Sequence, residues 1–324
     1  MKAIVQDGYG SPSDVLALRD LPTPTIDDKG VLVEVHAASV NALDWHVTKG
    51  PYLLRIMMGL RTPTDRVRGV DLAGRVVAVG KHVTRFQVGD EVFGGTDGSF
   101  AELAATTEDR LARKPAALTY GEAAALHVAG LTALQGLRDK ARLQAGQRVL
   151  INGAGGGVGT YAVQIAKWIG AHVCAATRTE SVDLARSLGA DDVIDYRTGD
   201  FTRGNVRYDV IFDIGGNRPF RHLRRVIAPK GTIISVGAPQ GRWFAPASRL
   251  LTAAALSPLV SGRITPFVSK NDHTGLALLA ELAQSGHIRT VVDRQFALGE
   301  TAEAISHVGA GRARGKVVIT VRSA

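Results

Sequence analysis

A single cysteine, Cys174, stands among 324 residues, so no disulfide can close within one chain and no cysteine-rich zinc lobe can form. It lies in the apolar run "AHVCAAT", where a thiol is expected to pack as a small hydrophobe. No stretch of about 18 uncharged apolar residues occurs, which argues against a membrane-spanning helix. The opening "MKAIVQDGYG" lacks the long apolar core of a secretory leader, so the expected location is cytoplasmic. Blocks of like charge are also missing: 39 lysines and arginines are scattered among 30 acids, and a net charge of +9 without a basic cluster or nucleic-acid motif points away from nucleic acid. A diffusely basic surface does suit a polyphosphate ligand. Internal repeats and low-complexity tracts are absent. With 45% hydrophobic and 21% charged residues the chain reads as a folded globular protein, and its length exceeds one hydrophobic core, so two domains are expected.

Glycine is the residue that is plentiful where it matters. In "RVLINGAGGGVGTYAVQIAK" the apolar run Val149, Leu150, Ile151 is followed by clustered glycines and then by Val158, Tyr161, Ala162, Ile165, Ala166 and Ile169 at helical spacing. "AHVCAAT" resumes strand character, which completes a β-α-β unit. A pyrophosphate can use the free amides and positive dipole end of a helix N-terminus only where no side chain bars the backbone. Ala154-Gly155-Gly156-Gly157-Val158-Gly159 is a GxGxxG fingerprint with its first glycine replaced by alanine. Gly156 is expected to admit the phosphates, and Gly159 to let helix and strand pack closely.

At the end of the second strand of such a unit an acid usually receives the adenosine ribose hydroxyls. Here Arg178 occupies that place. A guanidinium can donate two parallel bonds to a 2'-phosphate that a carboxylate would repel, so NADPH is expected over NADH. Further short apolar runs, "DDVIDY", "YDVIFDIGG" and "GTIISVGAP", extend a parallel sheet and bring Tyr196, Gly215, Gly237 and Ala238 to its ligand-binding end. Tyr196 is expected to help hold the same phosphate.

The N-terminal 120 residues read differently. "AIVQD", "VLVEVHAASV", "LAGRVVAVG" and "DEVFG" cluster β-formers between glycine turns, as in a twisted β-barrel. Near the end, "HIRTVVDRQF", "GETAEAI" and "GKVVITV" predict strand, helix and strand that return to this first domain. The expected organisation is a discontinuous domain over 1–121 and 265–324, and a doubly wound Rossmann domain over 122–264.

Four motifs, "AASVNALDW", "GVDLAGRVVAVGKHVTRFQVGDEVFG", "INGAGGGVGTYAVQIAK" and "GRARGKVVI", cover nearly the whole chain. Together they resemble the zinc-independent quinone oxidoreductases of the medium-chain dehydrogenase/reductase superfamily. The resemblance implies an α/β fold with a GroES-like β-barrel catalytic domain, a Rossmann domain, an active site in the cleft between them, and a homodimer. It also implies that Asn41, Val70 and Val128 stand where zinc alcohol dehydrogenases of the superfamily carry Cys, His and Cys. Valine cannot ligate a metal, and His46 and His127 show no metal-ligand spacing, so no metal is expected.

Without a Lewis acid, simple alcohol oxidation loses ground to hydride donation toward a small hydrophobic quinone or α,β-unsaturated carbonyl. The alternatives are an enoyl reductase of a biosynthetic pathway and a non-catalytic NADPH-binding sensor or structural protein. By resemblance Asn41, Asp44 and Tyr52 lie near the nicotinamide, with His46 as a departure from the family's tyrosine. Asn41 and Asp44 are equally expected as caps of the turn in "VNALDW". The expected cofactor set is Thr132, Ala154, Gly155, Gly156, Gly157, Val158, Thr177, Arg178, Tyr196, Gly215, Val236, Gly237, Ala238, Phe267, Val268 and Lys316. The apolar stretch from Leu53 to Leu60 either lines a substrate pocket or packs in a core.

Overall fold

The computed structural model describes residues 1–236 and 263–322. Two compact units divide the chain, Met1–Leu131 with Lys270–Ala324, and Thr132–Ser269. Both crossings fall later than the expected 121 and 264. At the first, the helix Tyr120–Ala124 packs on the sheet of the first unit, and His127 and Val128 hydrogen-bond Asp71 within it. At the second, Arg263–Pro266 pairs as a strand in the sheet of the second unit and keeps Phe267 and Val268 there.

In the first unit, β1 (Lys2–Gln6) and β2 (Leu16–Asp20) form an antiparallel pair. A seven-stranded sheet holds β3 (Gly30–Val40), β4 (Asp71–Val79), β5 (Glu91–Gly95), β6 (Leu103–Thr107), β7 (Leu111–Arg113), β14 (Val292–Ala297) and β15 (Lys316–Thr320). Its order is β14-β15-β3-β4-β5-β7, with β6 also on β3, and every pair is antiparallel except β14 with β15. The side chains of Val31, Val33 and Val35 join one apolar core and those of Ala38 and Val40 another, so the central strand β3 serves both.

The second unit contains β8 (Arg148–Asn152), β9 (His172–Thr177), β10 (Asp192–Asp195), β11 (Tyr208–Asp213), β12 (Ile227–Ser235) and β13 (Arg263–Pro266). All are parallel, in the order β10-β9-β8-β11-β12-β13. The chain starts in the middle, winds outward to β10, and restarts on the other side at β11. A crevice therefore opens at the carboxyl ends of β8 and β11, where the strand order reverses. Val149, Leu150 and Ile151 are wholly buried, as a strand covered on both faces requires. Cys174 is buried too; burial pushes its thiol pKa up, as expected of a packing residue.

Candidate active site

In the second unit the chain leaves β8 through Gly153, whose φ of +95° is accessible mainly to glycine. A Cβ there would lie 3.1 Å from the Gly215 amide, so Gly153 also lets the loops after β8 and β11 meet. Sequence reasoning passed over this residue, although an Asn-Gly pair closing an apolar strand marks a turn. Gly156 then caps the helix Gly157–Ile169 in extended conformation. A Cβ on Gly156 would meet only the Gly153 carbonyl, at 3.6 Å, so its outer side is open, next to first-turn amides that lack intrahelical acceptors. Gly155 and Gly159 are closed instead. Their added carbons would come within 2.7 Å of Thr177 Oγ1 and of Ala154 Cα respectively. Ser181 Oγ, which borders Gly155, is buried without a hydrogen-bond partner, as is Asn152 Oδ1 at the end of β8. An open glycine, free helix amides and two orphaned polar atoms fit a dinucleotide.

Arg178 follows β9 and is half-buried; Tyr196 follows β10 and donates its amide to Thr177 O at 3.0 Å, so the two occupy adjacent strand ends. Beside them Arg197 pairs with Glu180 at 2.7 Å. Thr177, Ala154 and Phe267 are buried, Thr132 Oγ1 lies 2.9 Å from Ser269 Oγ, Val236 donates its amide to Asp213 O, and Val268 is exposed. Gly237 and Ala238 lie outside the described residues.

The first unit contains a polar centre that sequence reasoning missed. Asp71, the first residue of β4, is fully buried. Its carboxylate accepts from Ser39 Oγ, from Asn41 Nδ2 at 2.8 Å, from the Val128 amide at 3.1 Å and from Lys316 Nζ at 3.3 Å, and it lies 3.0 Å from His127 Nδ1. Burial alone would raise its pKa, but the Lys316 ammonium and the bonds from His127 and Ser39 hold it well below the usual carboxylate range. Lys316 Nζ also donates to Asn41 Oδ1 at 2.7 Å and to Val40 O at 3.2 Å. The expectation that Lys316 binds cofactor is therefore corrected: its three donors are spent on internal acceptors.

Asn41 and Asp44 do serve the turn. Asp44 Oδ2 accepts the Asn41 amide at 2.7 Å and caps the helix Ala42–Lys49, while the Asn41 side chain turns inward to Asp71 and Lys316. Burial pushes the Asp44 carboxyl up to about 7 against the lowering effect of that amide bond. Tyr52 opens the next helix, Tyr52–Met58, and is 41% exposed; the Arg55 guanidinium stands over both its ring and that of Tyr9. His46 joins none of these bonds, and burial lowers its pKa, which disfavours it as a proton donor at neutral pH. Ile56 and Leu60 are 70% and 71% exposed, so these two do not pack in a core. The side chains of Leu53, Leu54 and Met57 lie outside the described residues.

A dinucleotide crevice on a doubly wound sheet, beside a β-unit with a buried polar centre, defines a nicotinamide-dependent oxidoreductase. Family comparisons agree. Residues 27–116 match the alcohol dehydrogenase GroES-like domain, and residues 188–319 match a zinc-binding dehydrogenase family. A chloroplast envelope quinone oxidoreductase homolog from Arabidopsis thaliana is 32% identical, with 98% of each chain covered. The mitochondrial NAD(P)H oxidoreductase RTN4IP1 of Mus musculus is 33% identical over 99% of this chain and 89% of its own. The structure of the quinone oxidoreductase from Coxiella burnetii superposes with a TM-score of 0.87 at 29% identity, covering 99% of each chain. The chain belongs to the quinone oxidoreductase family of the medium-chain dehydrogenase/reductase superfamily, and it is an NAD(P)H-dependent oxidoreductase. Among the described residues no helix is long and apolar enough to cross a membrane, and no group of three or more His, Cys, Asp or Glu side chains is placed to hold a metal ion.

Proposed function

We propose that the protein transfers hydride from NADPH to a quinone or an α,β-unsaturated carbonyl without zinc. The observation that carries this is the fate of the three positions where the family's zinc enzymes hold their metal. Asn41 spends both ends of its amide on Asp71 and Lys316, and Val70 and Val128 offer no donor atom. A buried hydrogen-bonded network thus occupies the region where a Lewis acid would have polarised an alcohol. Bound NADPH would supply the hydride, and Gly156, the amides of the first helical turn, Ser181 and Arg178 would hold it. The protein's own contribution at the acceptor end is positioning and proton supply. Asp44, with its pKa near 7, retains a proton in part of the population at neutral pH. Arg178 beside Tyr196 supports the 2'-phosphorylated cofactor. The named quinone oxidoreductase relatives support a quinone-type acceptor. The same reading carries a homodimer, checked by light scattering as twice the chain mass.

The test is steady-state NADPH oxidation by chelator-treated protein with a matched panel of quinones, enones and saturated ketones. Turnover of the first two classes alone, undiminished by chelation, is expected. Zinc-dependent turnover of alcohols or ketones would overturn the proposal, and tight NADPH binding with no turnover would replace it with a non-catalytic role.

A further inference from the structure

The first unit contains a second buried cation that the Asp71 network does not use. Arg68 is 8% exposed and lies three residues before Asp71, where the chain enters β4. A buried guanidinium is ordinarily matched by a carboxylate fork, because an isolated charge in a low-dielectric interior is costly. Lys316 has such a match in Asp71. Arg68 does not: its Nη2 donates to the main-chain oxygen of Asp65, and its Nε–H is buried with no acceptor. Asp44, Asp65 and Asp97 act on its charge through space, but among the described residues none of their carboxylates accepts a hydrogen bond from it. These acids balance the charge and leave a donor unused. A full anion would meet their repulsion; a neutral oxygen that gains charge only during reaction would not.

We propose that Arg68 is the oxyanion-binding residue of the reaction, its guanidinium donating to the carbonyl oxygen of an α,β-unsaturated carbonyl substrate. This rests on the reductase reading above. In that reaction a C–H bond of the reduced nicotinamide breaks and its hydrogen and electron pair form a C–H bond at the β-carbon. The alkene pair shifts toward the carbonyl, whose oxygen takes the negative charge, and a proton from water then restores the α-carbon. The cofactor is oxidised and the carbon–carbon double bond reduced. A preorganised donor aimed at that oxygen strengthens as charge develops, so its removal should fall on kcat more than on KM.

Arg68→Met and Arg68→Lys are compared with the parent protein on one enone at saturating NADPH. A loss of roughly 100-fold in kcat for Arg68→Met is expected, in line with deletion of one oxyanion donor, with the NADPH dissociation constant unchanged within about threefold. Arg68→Lys should recover part of the loss, because an ammonium supplies charge without the planar fork. A merely structural arginine would move thermal stability and leave the kcat-to-KM split unaltered. Folded Arg68→Met with parental kcat would overturn the assignment. Should that variant fail to fold, Arg68→Lys decides: a fall of about fivefold or more in kcat supports the role, and parental kcat refutes it. Failure of the parent protein itself to turn over any acceptor would instead sink the reductase reading.

Discussion

Gly156→Ala and Gly159→Ala, three residues apart in one turn, should have opposite consequences. At Gly156 the backbone is extended, with φ −90° and ψ 179°, which any residue adopts, and a Cβ would meet nothing nearer than 3.6 Å. Alanine there should leave the fold intact and stabilise it by about 0.4–1 kcal/mol, since the unfolded chain loses conformational freedom. The same methyl occupies the open side of the turn. If it costs one main-chain bond to a charged phosphate, about 1.5–3 kcal/mol is lost, roughly 10- to 150-fold in NADPH affinity. At Gly159 the new carbon would press on the Gly153 carbonyl and lie 2.7 Å from Ala154 Cα. Neither is the flexible end of a side chain. Strain of about 1–3 kcal/mol or more is expected, and a lower melting temperature should accompany any loss of binding. Thermal unfolding without ligand, followed by fluorescence titration with NADPH, separates the effects. Parental affinity in folded Gly156→Ala, or parental stability in Gly159→Ala, would refute the placement of the cofactor on this turn.

Asp44 binds its proton more tightly in the folded protein, near pH 7, than in the unfolded chain, so its contribution to stability falls as pH rises from about 4 through 7. Asp44→Asn removes that slope and should gain about 2–3 kcal/mol on the parent between about pH 5 and pH 8; an equal difference at both pH values in urea unfolding would count against the buried carboxyl. Lys316→Met leaves Asp71 buried without its ammonium and should cost about 3–5 kcal/mol. A near-neutral effect in the same assay would show that the ion pair is dispensable. Arg178→Asp should cut the NADPH-to-NADH affinity ratio by about tenfold or more at fixed ionic strength, by loss of a charge-assisted bond and gain of repulsion. An unchanged ratio would mean that Arg178 does not face the phosphate.

The strand-turn-helix-strand unit around Gly156 was legible because each part is local. Apolar residues run together in a doubly covered strand, and the helix after it has a 3.6-residue period. Strands β2, β6 and β7 were not read, being three to five residues long with half-exposed or exposed positions between buried ones. Asp71 was invisible as a centre for a different reason. Its partners Ser39, Asn41, His127 and Lys316 come from distant stretches of the chain, and only the folded sheet brings them to one carboxylate. Lys316 could be located from its motif but not its direction, which is why a residue expected at the cofactor proved to be an internal counter-ion. Arg68 had no signal at all in "DRVRGVD", where it reads as one of several surface arginines.

Hydride transfer to an activated acceptor is tested most directly by following the hydrogen itself. Protein stripped of metal by chelation is supplied with NADPH carrying deuterium at C4, on each face in turn, and with an enone; the product is analysed by mass spectrometry. One face should deliver a single deuterium to the β-carbon, with one NADPH consumed per product and no dependence on added zinc. Product without deuterium from either face, or label transfer only after zinc is restored, would contradict a metal-free hydride transfer.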